Sequence, residues 1–299
     1  MGHKKSLLRI IFEIFNTILL ASLAAACLIP LLHVFFSSIS NPSDLIVHSG
    51  VVLWPLGKAT LKGYELVFQN SKILTGYGNT LYYVAASTAI GMTLTIIAGY
   101  VLSRRNLLLR NFIMFYITFT MLFNGGLIPF YLVVKNLGGI DKRWAVIIPT
   151  CLSVFNIILM RTSMMSIPVS LEESAKIEGA GHFRILFQII LPLSKAVTAA
   201  LILFYAVAHW NSWFGAMIFL QTKSKFPLQL ILREILVQSD ISNIMQGSSG
   251  ITSAQLNLGT YKLLVQHSTT IVATVPILII YPFVQKYFVA GVMIGSLKE

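Results

Sequence analysis

Between two long apolar stretches, residues 167–192 read IPVSLEESAKIEGAGHFRILFQIILP. Ser170 followed by Glu173 has the form of a capping box, in which each side chain bonds a free backbone amide at a helix start. Gly179 is placed to end that helix in a left-handed conformation. The segment therefore predicts a short helix that ends at Gly179 and a second short helix over about 182–190.

Six apolar stretches lie along the chain, four before this loop and two after it. A helix needs about 20 apolar residues to cross a bilayer, and each stretch is long enough. The predicted spans are 12–36, 79–102, 112–134, 144–164, 196–220 and 271–290. Pro192 marks the turn into the fifth span. The predicted fold is an all-α membrane protein with six transmembrane helices, in a single domain of residues 1–299.

The composition agrees with a chain surrounded by lipid. Hydrophobic residues make up 56% of it and charged residues only 11%, against about 25% charged residues in soluble domains. The net charge is +12, and the basic residues lie at the ends of apolar stretches, where anionic lipid headgroups bind them. This pattern predicts a lipid bilayer as partner and excludes nucleic acid.

The first apolar stretch is predicted to be a retained helix. Basic residues precede it, and residues 24–27 read AAAC, like a lipoprotein cleavage site. The apolar run nevertheless continues through Val34, where a cleavable signal turns polar. Cys27 and Cys151 both lie inside apolar runs, so we expect small hydrophobic residues and neither a disulfide nor a metal site.

Basic residues also set the predicted orientation. Residues 103–111 form a short loop with three basic residues and no acid. Short loops rich in Lys and Arg stay in the cytoplasm. With six spans, both termini and the 165–195 loop are then cytoplasmic, and the long loop at 221–270 is external.

The spacing within the central loop resembles a known signature. Glu173-Ser174-Ala175, three residues, Gly179, nine residues, then residues 189–192 as IILP is similar to the EAA signature of ABC importer permeases. That signature is E-A-A, three residues, G, nine residues, I-x-L-P, and Ser174 is the one departure from it. Several fixed positions over this length make a specific motif.

The resemblance implies a type I ABC importer transmembrane domain, in which this segment is a cytoplasmic coupling helix that docks on the ATPase. The helix dipole favours Glu172 and Glu173 near its start, where they can also pair with basic residues of a partner. The positions assigned to ATPase coupling are Glu172, Glu173, Ser174, Ala175, Gly179, Ile189, Leu191 and Pro192.

Four further segments, at 124–129, 209–214, 226–229 and 281–288, look like carbohydrate importers, and specifically like the second permease of the maltose-importer group in its complex-oligosaccharide branch. This resemblance implies a bacterial cell membrane protein. The implied partners are a second homologous permease in a heterodimer, an ABC ATPase dimer, and an extracellular binding protein that delivers a sugar or oligosaccharide and meets the 221–270 loop. ATP and Mg are expected on the ATPase, and no cofactor on this chain.

Polar residues near the middle of two spans have two readings. They are Asn124 in the third span and Tyr205, His209, Asn211 and Ser212 in the fifth. On one helix, Tyr205, His209, Ser212 and Ala216 would share a face. Such a face either lines a translocation path or bonds neighbouring helices. No Asp, Glu or Lys lies near a span centre, which argues against a proton-coupled pump.

The alternatives are an ABC permease for amino acids, metals or polyamines, and a membrane glycosyltransferase. The enzyme would need grouped acidic residues at a membrane interface, whereas the outer loops hold only scattered ones: Asp44, Glu65, Asp141, Glu234 and Asp240. The pair Gly57-Lys58 lacks the upstream glycine of a phosphate-binding loop. We therefore expect a transport subunit without an ATPase site of its own.

Overall fold

The computed structural model describes residues 7–104, 106–235, 237, 261–280 and 282. Within these ranges the chain is helical and has no β-strand, which confirms the predicted all-α class. The helices are α1 Leu7–Ser38, α2 Pro42–Val47, α3 Lys62–Gln69, α4 Ser71–Ser103, α5 Arg110–Leu122, α6 Leu127–Asn136, α7 Trp144–Ile147, α8 Val154–Met165, α9 Val169–Ile177, α10 His182–Ile185, α11 Leu191–Leu193, α12 Lys195–Trp210, α13 Phe214–Phe219, α14 at 228–235 and α15 Tyr261–Ile280.

Three helices, α1, α4 and α15, are long and apolar enough to cross a membrane by themselves. Three bent pairs pass the same test together: Arg110–Leu122 with Leu127–Asn136, Trp144–Thr150 with Val154–Met165, and His182–Leu193 with Lys195–Trp210. The described residues therefore contain three candidate spans, or six if each bent pair is counted as one span.

The sixth span begins earlier than predicted. Helix α15 is already present at Tyr261, the first described residue after 237, whereas the sequence suggested a start at 271. The first turns of this helix contain polar residues such as Gln266 and His267, so the sequence did not predict a membrane span there. Leu264 in the same turns is fully buried. The end of the predicted span lies outside the described residues, as does the part of the 221–270 loop at 238–260.

The third span is broken, so the single predicted helix over 112–134 is wrong. Its two halves, α5 and α6, meet at an angle of 109°. Gly126 between them has φ of 88°, a value that a residue without Cβ adopts at little cost. The Asn124 side chain accepts a hydrogen bond from the Gly126 amide at 3.0 Å. The Asn-Gly-Gly sequence therefore makes a turn in the span.

The fifth span is also shorter than predicted. Helix α12 ends at Trp210, and α13 begins at Phe214, so the predicted helix over 196–220 is interrupted. The Asn211 amide and side chain both donate to the Val207 carbonyl, at 3.1 and 3.0 Å. Because this closes the end of α12, Ser212 and Ala216 do not continue its face.

The described backbone divides into two compact units. The first comprises Met1–Ser71 and Leu232–Val275. Within it, Leu45, Val52 and Leu264 form a small apolar core. Ser268 on α15 donates to the Ser38 carbonyl at the end of α1, at 3.3 Å. This unit therefore joins the end of α1 to α15.

The second unit comprises Lys72–Ile231 and Pro276–Glu299, and it contains the candidate site. Its main core joins α4, α8, α9, the helix from His182 and α12; its buried residues are Met92, Tyr100, Met160, Met164, Ala175, Ile185, Leu186, Ile190, Leu201 and Tyr205. Gly91 and Gly99 lie on α4 where a Cβ atom would meet the Cys151 carbonyl and the Met160 side chain. Close helix approach at small residues is the usual way that membrane helices pack.

At one end of this unit, Asp141 ties two connections together. Its carboxylate accepts hydrogen bonds from the Gln221 and Thr222 amides, at 3.1 and 2.9 Å, and from the Lys225 ammonium at 2.6 Å. The hydrogen bonds from Lys225 and Thr222 hold the pKa of the Asp141 carboxyl well below its ordinary value. The sequence indicated no role for Asp141 because its partners are distant in the chain.

The packing at Gly91 generates a testable prediction. In Gly91→Ala the new Cβ has to displace the Cys151 backbone carbonyl, and forced overpacking costs about 1–3 kcal/mol. We expect a lower thermal unfolding midpoint for the detergent-purified protein. Gly78→Ala on the same helix is the matched control, since its Cβ meets no atom within 4 Å. Equal midpoints for the two variants would show that α4 does not pack closely at Gly91.

Candidate functional site

The helix α9 begins at Val169, so the predicted capping box at Ser170 is wrong. Pro168 is the N-cap residue, with φ of −56° and ψ of 131°, and no side chain caps the helix. The Leu171 amide donates to the Pro168 carbonyl at 3.3 Å. Since proline already has the φ that a helix start requires, Ser170 lies inside the first turn and Glu173 is free of a capping role.

The end of α9 is confirmed at Gly179, which has φ of 80°. The Ala180 amide donates to the Ala175 carbonyl at 2.9 Å, and the Gly179 amide donates to the Lys176 carbonyl at 3.0 Å. These two bonds are the Schellman motif. A Cβ at Gly179 would meet no atom within 4 Å. Glycine is therefore favoured there by its backbone conformation and not by lack of space.

The second helix of the loop runs from His182 to Leu193 and includes a π-helical turn at Leu186–Ile190. Pro192 follows that turn. In a regular α-helix its ring would clash with the carbonyl four residues back, which accounts for the wider turn. The chain bends by 86° before α12. The bend falls at Ser194, just beyond the predicted turn at Pro192.

The loop has a buried face and an exposed face. Glu172 and Ala175 of α9 are buried, and Ile190 of the second helix is fully buried. Ile189 and Leu191 are partly buried, whereas Glu173, Ser174, Gly179 and Pro192 are exposed.

Two large apolar side chains on the exposed face have no cover. Ile177 is 88% exposed and Phe183 is 77% exposed. They are the two most exposed large apolar side chains of the loop. The sequence motif did not single out either residue, because neither belongs to its fixed positions.

Glu172 faces its own chain. Its side chain is 8% exposed, and its carboxylate forms ion pairs with Arg104 and, at 2.9 Å, with Lys176. Glu172 is therefore bound within the subunit, contrary to the expectation that it can pair with a partner. Glu173 remains exposed and available.

Arg104 lies directly after α4, and its guanidinium is held by that helix. It stands 4.6 Å from the centre of the Tyr100 ring and donates to the Ser103 hydroxyl. Burial lowers the pKa of the Arg104 guanidinium from its ordinary value, but arginine stays charged in proteins. From the sequence, Arg104 was only a topology signal.

A groove of about 730 Å³ lies beside this contact, lined by the end of α4, the 106–110 connection, the end of α8 and both helices of the loop. Tyr100 and His182 both line it, and the Tyr100 hydroxyl is 3.2 Å from His182 Nδ1. In the described parts of the chain, no three His, Cys, Asp or Glu side chains come close enough to hold a metal ion.

The polar residues of the fifth span lie between helices. The Tyr205 hydroxyl is 2.7 Å from the Thr95 hydroxyl and accepts a hydrogen bond from the Ser153 amide at 3.0 Å. His209 stacks on Tyr205, with 6.2 Å between ring centres. His209 and Ser212 also line a small cavity with Tyr83.

Asn124 and Asn211 lie at the breaks in their spans. Both are exposed, and both bond the backbone beside them. These two side chains are exposed, whereas the hydroxyl of Tyr205 is bonded by other helices.

Comparison with known proteins places the chain in a family. Residues 91–294 match the family model of the binding-protein-dependent transport system inner membrane component. The chain is 38% identical over 277 residues to the polygalacturonan/rhamnogalacturonan transport system permease protein YtcP of Bacillus subtilis, covering 92% of this chain and 94% of that protein. It is 28% identical to the maltodextrin transport system permease protein MdxG of Bacillus subtilis, covering 81% and 82%.

A solved structure agrees with these relatives. A chain in the crystal structure of a bacterial ABC transporter involved in the import of the acidic polysaccharide alginate superimposes with a TM-score of 0.84. It is 31% identical in sequence, and the match covers 96% of this chain and all of that one. The chain therefore belongs to the family of binding-protein-dependent transport system inner membrane components.

Proposed function

We propose that residues 1–299 form one transmembrane domain that provides half of the translocation path of an ATP-driven importer for a sugar or oligosaccharide. An extracellular binding protein delivers the solute, and a separate ATPase dimer supplies the energy. The observation that carries this proposal is the loop over 169–193. Its first helix has a closed end and packs on the core through one face, and the loop exposes the large apolar side chains of Ile177 and Phe183.

The exposed face of that loop fits an ATPase. Ile177 and Phe183 would enter an apolar groove of the partner, because burial removes their surface from water and stabilises the complex. Glu173 on α9 is exposed as well, and its charge can pair with a basic residue of the ATPase. Ser174 replaces a small residue of the signature by another small one, so the helix can still approach closely.

The remaining partners follow from the same assignment. The apolar part of α1 has no buried residue in its most hydrophobic window, and α5 has none at all. Lipid and a second homologous permease would cover these surfaces in a heterodimer. ATP and Mg would bind the ATPase dimer, and this chain would bind no cofactor.

The named relatives favour a sugar chain over an amino acid, a metal or a polyamine. The permeases of polygalacturonan/rhamnogalacturonan and maltodextrin transport and the alginate importer all concern carbohydrate polymers or oligomers. Within the path, Asn124 and Asn211 would bind hydroxyl groups of the sugar. Tyr205, His209 and Ser212 would hold the helices that line it.

The contact between Arg104 and Glu172 supports the proposed orientation. It places the basic 103–111 loop and the 169–193 loop at the same end of the second unit. Because short basic loops stay in the cytoplasm, we infer that both loops and both termini are cytoplasmic in a bacterial cell membrane.

Cysteine labelling of intact cells tests this orientation. In a chain with Cys27→Ala and Cys151→Ala, an impermeant maleimide added outside is expected to label Lys223→Cys and to miss Lys176→Cys and Glu299→Cys. All three should be labelled after the cells are opened. Labelling of position 176 from outside would show that the loop is external and that the proposed orientation is wrong.

The Schellman motif supplies the test of the proposed function. Gly179→Val forces a β-branched residue to a positive φ, at a cost of about 1–2 kcal/mol, and redirects the second helix. We expect less ATPase to co-purify with the membrane subunits, and sugar-stimulated ATP hydrolysis in vesicles to fall in step with uptake.

Gly181→Val is the matched control for this variant. Gly181 has φ of −74°, which any residue adopts, and its Cβ would meet no atom within 4 Å. It should retain ATPase attachment. Normal attachment and normal stimulated hydrolysis in Gly179→Val would show that the loop is only a surface hairpin.

A further inference from the structure

We propose that the Arg104–Glu172 ion pair is the joint through which the 169–193 loop moves α4, so that these two side chains are positioning residues for transport. This inference rests on the proposed coupling function of the loop. The loop is already continuous in sequence with α8 and α12. The ion pair adds a third helix, α4, which is distant in sequence.

Of the two partners that Glu172 has among the described residues, only one can make such a joint. Lys176 lies four residues along the same helix, so its ion pair adds nothing between helices. Arg104 directly follows α4 and is bonded to its last residue, so its ion pair connects the end of α4 to α9. Because the Glu172 side chain is buried, loss of Arg104 would leave a carboxylate short of a partner in a poorly solvated place.

Arg104 is held in a fixed orientation at that end. Its Nε and Nη2 atoms donate to the Ser103 hydroxyl, at 3.1 and 2.9 Å. The Ser103 hydroxyl in turn donates to the Tyr100 carbonyl at 2.7 Å. The guanidinium also covers the Tyr100 ring, a contact that is favourable to a cation. A displacement of Glu172 is therefore passed to the last turn of α4.

A second contact joins the other helix of the loop to the same turn. His182 Nδ1 is 3.2 Å from the Tyr100 hydroxyl. The two helices of the loop thus contact α4 at Arg104 and at Tyr100. Two separate contacts resist rotation about either one, so a tilt of the loop as a body would tilt the end of α4.

The same turn is tied to the fourth span as well. Arg161 on α8 donates to the Leu102 carbonyl at 3.0 Å. Earlier in α4, the lack of a side chain at Gly91 and Gly99 lets the helix lie close to the Cys151 carbonyl and to Met160. The end of α4 is therefore coupled to the loop while its middle is packed on the neighbouring span.

Charge reversal tests the joint. The reference is Lys176→Gln, since a lysine at 176 would repel an arginine placed at 172. In that background we make Arg104→Glu, Glu172→Arg and both together. The readouts are ATPase co-purification and the sugar taken up per ATP hydrolysed in reconstituted vesicles.

Each single reversal should keep the ATPase attached, because Ile177 and Phe183 are unchanged, and should lower uptake per ATP by about fivefold or more, the lower range of coupling between distant sites. The double reversal should recover most of the lost uptake per ATP, because it forms the same ion pair with the two charges exchanged. Lys176→Gln alone should transport like the unmodified chain.

Three results would overturn the proposal. One is unchanged uptake per ATP in the single reversals. Another is a double reversal that assembles with the ATPase but recovers nothing. The third is a fall in uptake per ATP in Lys176→Gln as large as that in the single reversals. Such a fall would show that the charge on α9 matters and that the contact with α4 does not. Failure of the loop to bind the ATPase would appear separately, in the co-purification of Gly179→Val.

Discussion

In the hydrocarbon of a bilayer, backbone amides and carbonyls find no water, so each must be bonded within the protein. Uninterrupted helices such as α4 meet this requirement along their length. The broken spans meet it locally. Asn124 bonds the Gly126 amide, Ser153 accepts from the Asn156 amide, and Asn211 bonds the Val207 carbonyl. Short polar side chains at these points let the spans bend without leaving every freed group unpaired.

At three positions the loop at 169–193 departs from the usual distribution of polarity. It buries the Glu172 carboxylate against Arg104 and exposes Ile177 and Phe183. Burying a charge is costly unless it is paired, and exposing large apolar groups gains nothing for the isolated subunit. The arrangement is reasonable for a segment that is fixed to its own helices on one side and bound by a partner on the other.

The sequence predicted those features that depend on neighbouring residues or on long apolar runs. The six spans follow from hydropathy, and the left-handed Gly179 follows from the need of a helix end for a residue without Cβ. The helix start at Ser170 was wrong because Pro168 provides an equally good start two residues earlier. The continuous third and fifth spans were wrong because hydropathy does not register a turn at Asn124 or Asn211.

Contacts between residues that are far apart in the sequence could not be predicted from it. Glu172 looked like a second exposed acid beside Glu173, and only the position of Arg104 shows which of them is buried. Likewise the Tyr205 hydroxyl looked available to a solute until Thr95 and the Ser153 amide were found beside it. The positioning role proposed for Glu172 therefore rests on its contact with Arg104 and not on the motif.

Photocrosslinking from position 177 tests the central claim most directly. A benzoylphenylalanine residue in place of Ile177, in the assembled transporter, is predicted to crosslink to the ATPase subunit. The same group in place of Leu137, which is also largely exposed but lies in the connection after α6, should not. Crosslinks from position 177 only to lipid or to the second permease would contradict the account.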